Sequence, residues 1–133
     1  MEIPEVFHRL LASKAVALVS TIGKRGEPQA TPLWFLWDGE RVRFSLVEGR
    51  QKLLNLRREP RISVVVIEPT RPGFYLELRG RIDELVPDWD CSLERAVAMK
   101  YVGEWTDVEP SGATRYATSV LVERITSQQA EPS

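Results

Sequence analysis

Cysteine and histidine are nearly missing from this chain: Cys91 and His8 are the only ones in 133 residues. A lone cysteine excludes an internal disulfide and suits a reducing cytoplasm. One residue of each type cannot build a His/Cys metal cluster, and no grouping of Asp and Glu suggests a carboxylate site, so no metal is expected. An excess of either charge is lacking too. The formal net charge of −1 argues against a dedicated nucleic-acid binder, which carries a basic excess. Any basic patch must therefore be local. No apolar run reaches the roughly 18 residues of a membrane span. The stretch MEIPEVFHRLL is amphipathic and contains acids, without the basic-then-apolar order of a signal peptide. A cytoplasmic protein with no membrane attachment is expected. There is no internal repeat, no low-complexity segment and no G-x-x-x-x-G-K-[ST] phosphate loop. Ser111, in PSGAT, follows no nucleophile-elbow pattern. What is present is an ordinary soluble composition, 43% hydrophobic and 28% charged, with enough chain for one domain and a real core.

Residues 4–13 read as a helix, with Pro4 in the first turn and Val6, Phe7, Leu10 and Leu11 at helical spacing. Six strands follow from the patterning. AVALVSTI (15–22) is a continuous apolar run, and PQATPLWFLW (28–37) is the second strand after the turn residues GKRGEP. Asp38-Gly39 is a hairpin signal. RVRFSLV (41–47) then alternates, with Val42, Phe44 and Leu46 on one face. A short helix over 50–59 should stop before Pro60. RISVVVIE (61–68) and FYLELRGRIDEL (74–85) are the fourth and fifth strands. In the fifth, Phe74, Leu76, Leu78 and Ile82 oppose Tyr75, Glu77, Arg79, Arg81 and Asp83. Residues 88–102 read as a helix, 103–114 as a loop, and RYATSVLVERI (115–125) as the sixth strand. The polar end is expected to fray from about residue 127. Strands joined by hairpins rather than repeated helical crossovers imply an antiparallel sheet or barrel.

The second helix poses the functional question. GRQKLLNLRREPR puts Arg50 and Lys52 at a helix N-terminus, where the dipole already supplies positive charge. At about 100° per residue, Leu53, Leu54 and Leu56 span about 160°, a usable core stripe, with Lys52, Asn55 and Glu59 opposite. Arg57 falls within the apolar arc, so its stem should pack and its head should emerge at a polar site. The plain reading is a solvated basic face. The functional reading is an anion site: Gly49 permits close backbone approach, and free N–H groups, Arg50 and Lys52 converge on one phosphate. In QATPLWF, Pro32 cannot donate a ladder hydrogen bond, so it marks an edge, bulge or interruption. Gln29 and Thr31 share one face there and could meet a polar heterocycle. Trp105 lies in the long loop, where it packs in a core or interface or stacks on a ligand. His8 and Cys91 have no evident chemical partner.

Taken in order, G-x-P-Q-x-T-P-x-W, then F-S, then G-R-x-K-x-x-N-L-x-R-x-P-R make the chain resemble the pyridoxamine 5′-phosphate oxidase-like superfamily of flavin and deazaflavin proteins. It is most similar to the small F420-dependent subgroup. The likeness is good over residues 5–85 and looser at the closing strand. It implies a mainly β fold over 1–133, a six-stranded antiparallel split β-barrel with short helices at the N-terminus, after strand 3 and before the last strand. It also implies a homodimer with cofactor sites at the subunit interface. In such a site Arg50, Gln51 and Lys52 would hold the cofactor phosphate and Ser45 would add a hydroxyl. Gln29, Thr31, Pro32 and Leu33 would line the tricyclic ring, and Trp34 or Trp105, from the same chain or the partner chain, would wall it. The cofactor would carry the redox chemistry. Coenzyme F420 passing hydride to a small unsaturated or aromatic acceptor is the leading expectation. An FMN-dependent oxidoreductase is the alternative, followed by a non-catalytic protein that stores a flavin or haem. Haem would have only His8 as an imidazole ligand, or else Tyr or Cys. The extra C-terminal basic residues of vitamin-type oxidases are not found, which disfavours pyridoxamine phosphate as substrate. Residues 88–114 match least and should shape the substrate side.

Overall fold

In a computed structural model, residues 1–105 and 113–128 are described. A single turn at Glu5–Phe7 leads into α1 (His8–Ala12). Then come β1 (Ala17–Ile22), β2 (Pro28–Leu33), β3 (Leu36–Trp37), β4 (Val42–Val47), α2 (Gln51–Arg58), β5 (Arg61–Ile67), β6 (Tyr75–Pro87), α3 (Ser92–Val102) and β7 (Arg115–Gln128). All strands belong to one antiparallel sheet, in the order β2-β1-β5-β6-β7-β4-β3. Among the described residues, no helix is long and apolar enough to cross a membrane.

That order forces the sheet to curl. β2 and β3 lie at opposite edges, yet only Trp34 and Phe35 separate them in sequence. A flat seven-stranded sheet would hold its edges about 29 Å apart. The link from Leu33 to Leu36 spans at most about 11 Å. The two edges must therefore approach each other, which makes a barrel split at one seam. The expected six strands become seven because the 28–37 run is divided here. Phe35 drives the division: its side chain is fully buried, whereas Trp34 stays 42% exposed. Phe35 joins Phe7, Phe44, Val19, Val64, Leu76 and Leu78 in the barrel core.

The alternation expected for the fifth strand places its apolar members inward, and Leu76 and Leu78 are fully buried. The long β6–β7 ladder is offset twice. Between Arg79 and Gly80, β7 carries the extra residue Glu123, and between Ile82 and Glu84, β6 carries the extra residue Asp83. Such bulges bend the pair as barrel closure requires. The polar end is also less frayed than its composition implies. Ser127 and Gln128 still pair with Leu76 and Tyr75, so β7 passes the expected boundary. α3 begins at Ser92 rather than 88 because the Asp88 carboxylate accepts the N–H groups of Ser92 (3.1 Å) and Leu93 (2.9 Å). That makes residues 88–91 a capping turn.

α3 closes the seam with two adjacent side chains. The Tyr101 hydroxyl accepts the Phe35 N–H (3.3 Å) and donates to the Ala15 carbonyl (2.7 Å). The Lys100 ammonium donates to the carbonyls of Phe35 (2.9 Å) and Leu11 (3.3 Å) and lies over the Phe35 ring. Among the described residues, no carboxylate is a hydrogen-bond partner of this ammonium. Burial consequently pulls Lys100 from its ordinary 10.5 down to about 8. Between those values the unfolded chain binds more protons than the folded one, so stability should rise with pH from about 8 toward 10. Above about 10, Tyr101 opposes the rise, because burial raises its phenol and the unfolded chain then loses that proton first. Urea midpoints across this window should climb in the wild type and climb less in Lys100→Met. Equal slopes would show that the ammonium is not desolvated.

Candidate functional site

β4 runs Val42–Val47, and Gly49 then turns the chain into α2 with a φ of 87°. That left-handed conformation favours glycine. Arg50 caps the helix in an extended conformation with no side-chain capping bond, and the first turn contains no acid. The two cations therefore do face the positive end of the dipole. Burial first, and then repulsion from Arg50, lowers the Lys52 pKa. Lys52 has no acidic partner among the described residues.

The helix is rotated from the expected wheel. Leu53 and Leu56 are buried as expected, but Leu54 is 43% exposed and Asn55 is buried. The inward arc thus contains Lys52 and Asn55, which apolar patterning had assigned to solvent. A polar network explains the rotation. The Asn55 amide donates to Thr21 Oγ1 (3.0 Å) and Gln29 Oε1 (3.0 Å), and its own carbonyl oxygen accepts from Gln51 (2.7 Å). A buried amide satisfied from two strands can outweigh one leucine left outside. The Arg57 head does emerge at a polar group, as expected. It is exposed, bonded to Glu48 (3.0 and 3.2 Å), and stacked over Tyr116.

The start of α2 opens on a cavity of about 290 Å³. Pro32, Leu33 and Trp34 from β2 and the seam form one side, while Ser45 of β4, Arg50 and Lys52 contribute the polar side. Ser45 Oγ is buried and has no hydrogen-bond partner among the described residues. A hydroxyl in that state beside two cations suits an incoming anion, since an unmet buried donor is costly. Leu46 and Val47 of β4 extend the wall, and Glu94, Val97 and Arg115 complete it. The sequence reading missed these three, although it assigned the α3 region to the substrate side. Arg115 is 6% exposed and pairs with Glu94 at 3.4 Å. Its signal was hidden, because an arginine opening a strand looks solvated until α3 covers it.

Six expected site residues thus line one cavity: Pro32, Leu33, Trp34, Ser45, Arg50 and Lys52. Four others do not line it. Gln29 and Gln51 are engaged with Asn55. Thr31 Oγ1 is buried without a partner among the described residues. Trp105 lies under the Arg95 guanidinium, 4.4 Å from ring centroid to charge. Ser111 falls outside the described residues. His8 donates to or accepts from nothing in this cavity; its Nε2 lies 2.9 Å from the Ile3 carbonyl. A larger cavity of about 770 Å³ lies beside the N-terminal turn. The arginine that lines it, Arg41, is already paired with Asp83. Among the described residues, no three His, Cys, Asp or Glu side chains are placed to hold a metal.

The pyridoxamine 5′-phosphate oxidase family model matches residues 3–129. The chain belongs to this family. Among solved structures, the chain is similar to an F420 reductase at 31% identity, with a TM-score of 0.85, covering 93% of this chain and 98% of that one. A conserved hypothetical protein from Mycobacterium tuberculosis is 21% identical, with a TM-score of 0.76, covering 95% and 84% of the two chains. The haem storage protein of Vibrio cholerae is 14% identical, with a TM-score of 0.70 and 96% coverage of each chain. The last two likenesses concern the fold alone. No curated protein matches the chain. The family's split-barrel architecture is thus common to proteins with different ligands, and a fold shared this widely does not name the reaction.

Proposed function

We propose that this chain is an oxidoreductase that binds the deazaflavin coenzyme F420 and passes hydride to a small unsaturated or aromatic acceptor. The carrying observation is the buried Ser45 hydroxyl, without a hydrogen-bond partner among the described residues, in the same cavity as Arg50 and Lys52. A phosphate would satisfy that hydroxyl, offset the repulsion between the two cations and occupy the positive end of α2. Pro32, Leu33 and Trp34 offer an apolar and aromatic wall on which a planar ring can lie. The bound coenzyme would supply the two-electron chemistry. The chain's own residues bind and orient it and keep water from one side of the ring. Similarity to an F420 reductase at 31% identity favours the deazaflavin over FMN. FMN is the second reading, because it offers the same phosphate and a similar ring. In both, the active form is a cytoplasmic homodimer whose sites lie at the subunit interface. Storage of haem is disfavoured, because the chain's single imidazole does not line the cavity.

Absorbance of the purified protein, followed by titration with each cofactor, tests the reading. A band near ~420 nm identifies the deazaflavin and one near ~450 nm identifies FMN, because the spectrum belongs to the cofactor. Binding of neither would sink both oxidoreductase readings. Binding without turnover of the reduced cofactor by any acceptor would favour storage.

A further inference from the structure

Trp34 lines the cavity from a backbone that no sheet ladder holds. β2 ends at Leu33 and β3 starts at Leu36, so the chain crosses the seam at Trp34 and Phe35. In a continuous strand, a neighbouring strand would take the N–H and C=O of Phe35. Here Tyr101 takes the first and Lys100 the second. The same two side chains tie the seam to Ala15 and Leu11, ahead of β1. The Tyr101 ring also lies flat against the Trp34 indole, with centroids 4.9 Å apart and planes at 4°. Tyr101 is 8% exposed, whereas Trp34 remains 42% exposed. One face of the indole is therefore backed by α3, and the rest of the ring is left to the cavity and solvent.

We propose that Tyr101, assisted by Lys100, is a positioning residue that holds the Trp34 indole as the aromatic wall for the ring of the bound ligand. The proposal rests on the cofactor reading above. It assigns the ring half of the ligand to α3 and leaves the phosphate half to α2. The physical reason is preorganisation. A half-exposed indole on an unladdered segment would otherwise lose rotamer and backbone freedom on binding. Backing it with a stacked phenol meets that cost during folding. Because α3 also brings Glu94 and Val97 to the cavity, one helix sets both the wall and the region beside it.

The test separates holding from binding. In the ligand-free protein, acrylamide quenching of Trp34 emission is taken as the difference between wild type and Trp34→Phe. Tyr101→Leu should raise that quenching clearly, and Tyr101→Phe, which keeps the stack, should raise it less. Unchanged quenching in Tyr101→Leu would overturn the proposal. For binding, the probes are whichever of F420 or FMN the wild type takes, and inorganic phosphate as a competitor. Tyr101→Leu should weaken the ring-bearing ligand about ten-fold, the size of one aromatic stack, while phosphate inhibition stays within about two-fold. Trp34→Ala should show the same selective loss, and the double variant should be no worse than Trp34→Ala alone. Additive losses, or an equal loss for phosphate, would mean that Tyr101 merely supports the fold. A wild type that binds neither cofactor would defeat the cofactor reading, and the quenching result would still decide whether Tyr101 holds Trp34.

Discussion

Replacing Lys52 with alanine is expected to weaken cofactor binding by about 1.5–3 kcal/mol, the worth of a hydrogen bond to a charged group. That corresponds to roughly 10- to 150-fold in Kd. The unliganded protein should not suffer. Lys52 is partly buried, has no acidic partner among the described residues and is repelled by Arg50, which together lower its pKa. Losing that charge removes an unfavourable interaction, so the urea midpoint without ligand should hold or rise slightly. This opposition between binding and stability marks a side chain kept for a ligand. Calorimetric titration of Lys52→Ala with F420 and FMN measures the first half, and urea unfolding measures the second. Unchanged affinity would show that the phosphate sits elsewhere. The pH dependence has a fixed sign. The phosphate attracts the charged amine, so affinity should fall as pH rises through the lowered Lys52 pKa. The same fall should be absent in Lys52→Ala.

Gly80→Ala should be the most damaging single-methyl change in the sheet. Gly80 sits where β7 carries its extra residue, opposite Val122 and beside Glu123. A Cβ at Gly80 would lie far inside van der Waals contact with the Leu121 carbonyl oxygen and 3.1 Å from the Glu123 nitrogen. Both are backbone atoms of a paired strand, so neither can rotate away. Relief requires the bulge to open, with loss of ladder bonds and of the curvature that brings the barrel edges together. A cost of about 3 kcal/mol is expected, at the upper end for overpacking, or about 10 °C in melting temperature for a chain of this size. Differential scanning calorimetry decides it. A change of only a few tenths of a kcal/mol, as at an open surface glycine, would show that the two strands are not in close approach there. Ligand affinity, corrected for the folded fraction, should hold, because Gly80 lies outside the cavity containing Arg50 and Lys52.

Gly80 and Asn55 show where patterning loses its hold. In β6 the alternation of Leu76 and Leu78 against Glu77 and Arg79 is a local property and is readable from the sequence. Gly80 is needed because of a carbonyl on a strand some forty residues later, and nothing near it in sequence announces that contact. Asn55 looked like a surface residue because the wheel weighs apolarity and cannot see Thr21 and Gln29 waiting across the interface. The division of PQATPLWFLW had the same cause. Ten residues of strand-like composition read as one strand, and only the edge-to-edge order of the sheet requires a break at Trp34.

The sequence by itself determined what depends on near neighbours and on residue type. The strand and helix order, the basic turn after Gly49, the absence of a His/Cys metal set and the family resemblance all follow from local pattern and composition. Arg50, Lys52 and Ser45 could be named together because they lie within eight residues of one another. Only the tertiary structure decided which side chains share their cavity. Glu94, Val97 and Arg115 arrive from elements forty to seventy residues away, and Lys100 and Tyr101 satisfy a seam they could not be seen to face. The physical reason is that barrel closure joins the two sheet edges at Trp34–Phe35. The partners of that unladdered backbone are then set by which helix covers the gap.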